Sequence, residues 1–417
     1  MLNAIRALLG NNTTAPDVAP NIVLPLEIHG LIIDTLASEN ASLNAYAQTC
    51  SGILALCRQH IFAQVAFNLP WKSQVDVRRI QRFVKLLMKS PEIADIVRRV
   101  QLNINELCFR PGDEKITKML AQIASIEHLG ITTYGLKWGE MLDSPELGPL
   151  IQAFISSPNL SSLELRGIED FKMDHLNHCA RLTKVQLKLR AAVIFPDEEP
   201  PSMISLPPQL SHLTLDHVSS SVLIPAAPVT PIVTRPPLKS LQATMRALGV
   251  ARIISAHVQS LEEFTLHWSF SFINPTQRDF SRLGEALRLN ISSLKFLKFV
   301  LSYNTNHEVA MDNIAALLLS ISTPASHTNA IQDITITLST GTASRASRFA
   351  GACGQVDIML SSSVVWPSLK RVAVETRLIG HYPDRDEASD TLKDLPNRFP
   401  RLSASRTLNY QFIDADG

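Results

Sequence analysis

The chain has no run approaching the ~18 unbroken apolar residues of a membrane-spanning helix, so it offers no such segment to a bilayer. It is also poor in cysteine: Cys50, Cys57, Cys108, Cys179 and Cys353 are odd in number, widely scattered and form no C-x-x-C pair. That usage argues against a disulfide framework and for reduced thiols in a cytoplasmic or nuclear protein. The opening MLNAIRALLG has too few apolar residues before the polar run Asn11 to Thr14 to serve as a secretory signal. A dominant charge is missing as well. Lys and Arg number 39 against 38 Asp and Glu, and a net charge of +1 sets up no global field for nucleic acid or a membrane surface. Neither is expected as a partner.

Catalytic signatures are equally scarce. The sequence contains no G-x-S-x-G elbow, no H-E-x-x-H and no dinucleotide fingerprint, and GACGQ at 351–355 lacks the Lys-Ser/Thr of a phosphate loop. DHLNHC gathers Asp174, His175, His178 and Cys179, but no second cluster at ligand spacing follows it, whereas zinc needs three or four placed ligands. No catalytic residue, metal or cofactor is expected. The stretch from Lys72 to Arg99 holds eight basic residues without interleaved aromatics, which fits the solvated face of a helix better than a base-stacking platform.

What the sequence does have is a repeat. The pattern L-x-x-L-x-L, with other apolar residues allowed, appears at Leu160/Leu163/Leu165, Leu182/Val185/Leu187, Leu210/Leu213/Leu215, Leu238/Leu241/Ala243 and Leu261/Phe264/Leu266. It continues at Leu294/Leu297/Phe299, Ile331/Ile334/Ile336 and Leu369/Val372/Val374, with a fainter copy at Val97/Val100/Leu102 and a candidate strand at Leu129 to Ile131. The last two apolar positions of each copy alternate with a polar residue, so both face one side of a short strand. Between copies lie helical patterns: Val77, Ile80, Val84 and Leu87; Ile116, Met119, Leu120 and Ile123; Ser144-Pro145-Glu146 opening a helix through Ile155. Later ones are Phe280, Leu283 and Leu287; Val309, Ile314, Leu317, Leu318 and Ile321; Phe349, Val356, Met359 and Leu360.

A single strand-turn-helix unit buries too few apolar side chains to offset the backbone entropy of ordering it, so neighbours must stack. The expected fold is α/β: an irregular leucine-rich-repeat solenoid over 72–417, with parallel strands on the concave face and helices outside. Residues 196–237 carry ten of the 25 prolines and are expected to form an irregular, extended return, and residues after 380 a terminal cap. Polar positions between inward leucines, Glu164, Gln186, Thr214 and Thr265, are the expected contact surface for a protein partner.

Residues 22–65, after a flexible 1–21, differ from the rest. LPLEIHGLIIDTLA places Ile28, Ile32 and Leu36 four residues apart, and SLNAYAQTC and ILALCRQHIF add two short helices, too small a set for a self-sufficient core. The L-P-x-E-I opening, the I-I-x-x-L continuation and the Leu43 to Cys50 spacing resemble an F-box, and the whole layout is similar to fungal F-box-like proteins with degenerate leucine-rich repeats. The resemblance implies a substrate-recognition subunit of a Skp-cullin-F-box-type ubiquitin ligase. Leu24, Pro25, Ile28, Ile32, Leu36, Leu43 and Cys50 would then meet a Skp-type adaptor, and the repeats a protein substrate. The alternative is a repeat scaffold that binds a protein and has no ubiquitin role.

Overall fold

Alternation of apolar and polar residues makes a strand at every copy of the repeat. The computed structural model describes residues 24–37, 39–49, 51–69, 74–107, 113–171, 173–176, 178–188, 207–215, 238–244, 254, 260–268, 277–302, 307–322, 329–380, 383–405 and 407–414. The chain divides into two units, 1–63 and 64–417.

Among its described residues the first unit holds three helices: α1 (Leu26–Leu36), α2 (Asn40–Ala47) and α3 (Ser51–Ile61). Ile33, Leu43, Ala47, Ile53 and Cys57 form a closed core, flanked by partly buried Leu36, Tyr46, Leu54, Leu56 and Ile61. A 2.6 Å hydrogen bond between His29 Nδ1 and Tyr46 Oη ties α1 to α2.

The second unit is an α/β solenoid-like array. Its twelve strands form one open, all-parallel sheet in sequence order: β1 (Gln64–Leu69), β2 (Arg99–Ile104), β3 (His128–Thr133), β4 (Ser162–Arg166), β5 (Lys184–Lys188) and β6 (His212–Leu215). They are followed by β7 (Ser240–Thr244), β8 (Glu263–Trp268), β9 (Phe296–Leu301), β10 (Asp333–Thr340), β11 (Arg371–Leu378) and β12 (Leu408–Asp414). Returning helices are α4 (Gln74–Lys89), α5 (Glu92–Ile96), α6 (Asp113–Leu120), α7 (Trp138–Asp143), α8 (Gly148–Ile155), α9 (Gln277–Arg288), α10 (His307–Ser322), α11 (Ala343–Leu360), α12 (Arg385–Lys393) and α13 (Pro400–Ala404). Successive helices pack on one another, α9 on α10, α10 on α11 and α11 on α12.

Register converts the repeat into two continuous apolar rows. Leu163, Val185, Leu213, Leu241, Phe264, Leu297, Ile334 and Val372 are direct partners across β4 to β11, and all are buried. Leu165, Leu187, Leu215, Ala243, Leu266, Phe299, Ile336 and Val374 make the second row, also buried. A backbone device repeats at the entrance to the strands from β3 to β11. The carbonyls of Arg98, Glu127, Ser161, Thr183, Ser211, Lys239, Glu262, Lys295 and Gln332 each accept two consecutive N–H groups from the next repeat. Because it needs only main-chain groups, it holds the stack in register however irregular the returns are. Gly167 closes one turn: at φ +68° it lies so near Thr133 that a Cβ would meet that carbonyl oxygen at 2.0 Å.

Several expectations move. The first strand is β1, eight residues ahead of the predicted start at 72, because Val65, Phe67 and Leu69 already alternate. After residue 380 the chain runs through α12 and α13 into β12, which pairs parallel with β11. Val309 is exposed rather than part of the α10 core stripe. Helix α6 ends at Leu120, short of Ile123, and α8 starts at Gly148 after a turn in which Ser144 Oγ accepts the Leu147 N–H at 3.3 Å. The segment around GACGQ lies inside α11, and Asp174 and His175 belong to a 3₁₀ turn, Met173–Leu176. Most of the proline-rich stretch 196–237 lies outside the described residues, which there include Pro207, buried beside the turn into β6.

Candidate functional site

Two surfaces gather the residues singled out in the sequence. On the first unit, Leu24, Leu26, Ile28 and Leu31 are exposed at 41, 61, 39 and 64%. Leu24, Ile28 and Leu31 follow one another at helical spacing, so α1 turns one apolar side inward through Ile33 and leaves another uncovered. Pro25 is exposed beside them, while Ile32 and Leu36 are half-buried. Leu43 departs from the expectation: it has no exposed surface and is a core residue of its own unit. It therefore supports the helices and makes no outward contact. Cys50 lies outside the described residues. Leu26 and Leu31 were not singled out, although the density of leucine and isoleucine in LPLEIHGLII was the available signal.

On the sheet, the polar residues between the two apolar rows form a row of their own. Gln101, Gly130, Glu164, Gln186, Thr214, Gln242, Thr265, Lys298 and Thr335 are consecutive register partners from β2 to β10. All four predicted contact residues, Glu164, Gln186, Thr214 and Thr265, stand in this row, and each is half-buried. Gln101, Gln242, Lys298 and Thr335 occupy equivalent places and could have been found by the same spacing rule.

Neighbouring side chains on this face link across strands. Asn103 Nδ2 donates to Asn68 Oδ1 at 2.9 Å, Gln101 Nε2 to Thr132 Oγ1 at 3.1 Å, and Thr337 Oγ1 to Glu375 Oε2 at 3.0 Å. The side-chain amide of Gln242 and the His267 ring are 2.8 Å apart. Arg166 pairs with Glu164, and Lys298 lies 4.0 Å from Glu375. Burial, and then the Arg99 guanidinium, hold the His128 imidazole below the ordinary histidine value; Glu127 acts the other way and Lys184 adds to the depression.

Two of the groups weighed as metal ligands, Cys179 and His175, have other neighbours. Cys179 is buried and points its Sγ at the Ile155 carbonyl, 3.4 Å away, and the His175 ring lies tilted against Trp138 and Phe171. Cys57, Cys179 and Cys353 are buried free thiols whose acidity burial suppresses, most strongly at Cys353. Among the described residues no group of three or more His, Cys, Asp or Glu could hold a metal ion. No helix among them is long and apolar enough to cross a membrane. Neither protein-family models nor curated proteins give a match to this chain.

Proposed function

We propose that this protein is the substrate-recognition subunit of a Skp-cullin-F-box-type ubiquitin ligase. The three-helix unit docks a Skp-type adaptor, and the sheet, read as an irregular leucine-rich-repeat solenoid, holds a protein substrate. The observation that carries the reading is the uncovered apolar side of α1. Leu24, Leu26, Ile28 and Leu31 are exposed on a small unit whose own core is already closed, so they are not needed to fold it. An apolar cluster of this kind contributes most when a partner excludes water from it.

The test is co-purification with a Skp-type adaptor, comparing the wild type with Leu24→Asp/Ile28→Asp. The double change sets two carboxylates where an apolar contact must desolvate them. Binding at micromolar concentration is expected for the wild type and lost in the variant, while far-ultraviolet circular dichroism stays unchanged. Absent wild-type binding would sink the ubiquitin role. A repeat scaffold with no ubiquitin role draws on one observation, the burial of Leu43 in the unit's own core, where it serves folding and not docking.

A further inference from the structure

The outward face of the sheet is electrically uneven. From β2 to β6 its outward positions fall in three rows: Arg99, His128, Ser162, Lys184 and His212; then Gln101, Gly130, Glu164, Gln186 and Thr214; then Asn103, Thr132, Arg166 and Lys188. Arg99, Arg166, Lys184 and Lys188 are cations, and the one carboxylate in these rows, Glu164, is paired with Arg166. Among the described residues Arg99, Lys184 and Lys188 have no carboxylate at ion-pair distance. Basic groups in the turns below are already engaged, Arg98 with Glu127 and Lys239 with Glu262. From β8 to β11 the same face is balanced, with Lys298, Arg371 and Arg377 against Glu263, Asp333 and Glu375.

We propose that the outward strip of β2 to β6 is the docking site for an extended, Asp/Glu-rich segment of the partner protein. The inference rests on the recognition role proposed above and names its substrate class. Two basic rims, Arg99 with Lys184 and Arg166 with Lys188, lie about 13 Å apart along the strands, and β2 and β6 about 19 Å apart across them. A peptide of six to eight residues at ~3.3 Å each covers that width. Between the rims the floor is low and rich in amide and hydroxyl groups. Gln101 lies flat over Gly130, where a Cβ would meet its Oε1 at 1.9 Å, and Gln186 and Thr214 follow in the same row. Such a floor can hydrogen-bond a peptide main chain, while the rims take its carboxylates. Nucleic acid fits the strip less well. No Phe, Tyr or Trp occupies these rows to stack a base.

The test is fluorescence anisotropy with the full chain and three labelled peptides of alternating sequence, Glu-Ser, Gln-Ser and Lys-Ser. Saturable binding of the Glu-Ser peptide alone is expected, weakening as added salt shortens the Debye length. Lys184→Glu/Lys188→Glu should weaken it by about tenfold or more, and Arg371→Glu/Arg377→Glu on β11 should leave it unchanged. No saturation at low salt, an equal loss from the β11 pair, or tighter capture of a labelled oligonucleotide would each overturn the proposal. Adaptor binding is measured separately on the same proteins. Peptide binding without adaptor binding removes only the ubiquitin role, and adaptor binding without peptide binding removes only the acidic strip.

Discussion

At the scale of single residues, two buried or half-buried groups report on their surroundings. Asp357 is buried in α11, and its carboxylate accepts the N–H groups of Arg401 at 3.2 Å and Leu402 at 3.0 Å, closing the first turn of α13. Those donors have no partner within the helix, so Asp357→Ala should cost about 1–3 kcal/mol. Asp357→Asn, which keeps an acceptor, should cost less; urea denaturation reads both. His128 has its value lowered first by burial and then by Arg99. The folded state therefore prefers the neutral ring. Whatever stability rests on that neutrality is complete above the ordinary value of 6.5 and is lost as pH falls from there through the depressed folded value. In Arg99→Gln the imidazole, followed by proton NMR, should titrate at higher pH than in the wild type yet remain below 6.5, because the burial is untouched. An unmoved titration would contradict the placement of Arg99 beside it.

At the scale of elements, α9 and α10 approach each other closely at one glycine. Gly284 faces Ser320 so tightly that a Cβ at 284 would lie 2.4 Å from the Ser320 Cβ and 3.2 Å from the Leu317 carbonyl oxygen. Gly284→Ala should thus destabilise the protein by about 1–3 kcal/mol despite alanine's better helix propensity. Ser320→Gly added to it should recover part of the loss. A double-mutant cycle with no coupling would mean that the helices do not meet there. The strands were largely legible in the sequence, since a period of two needs only local residues: copies at 160, 182, 210, 238, 261, 294, 331 and 369 all lead into strands of the sheet. The helix ends were less so. Val309 shares the apolar spacing of α10 yet lies on its exposed side, because periodicity gives a stripe but not which neighbour covers its margin.

At the scale of the molecule, each repeat is held by its neighbours through the main chain and through the two apolar rows, which makes stability a nearest-neighbour property. Strands β10 and β11 are eight residues long, whereas β5, β6 and β7 are five, four and five. Hydrogen exchange should accordingly be slowest in the β9 to β11 block and fastest in β5 to β7, where fewer ladder bonds must open. By itself the sequence determined the α/β class, the inward leucines and the polar row with Glu164, Gln186, Thr214 and Thr265, because strand alternation is a local consequence of backbone geometry. Only the tertiary structure decided the rest. Leu43 turned inward because its neighbours needed a core, and Arg99, Arg166, Lys184 and Lys188, carried by the three strands β2, β4 and β5, became one basic strip because parallel register brings equivalent positions within about 5 Å of the next strand.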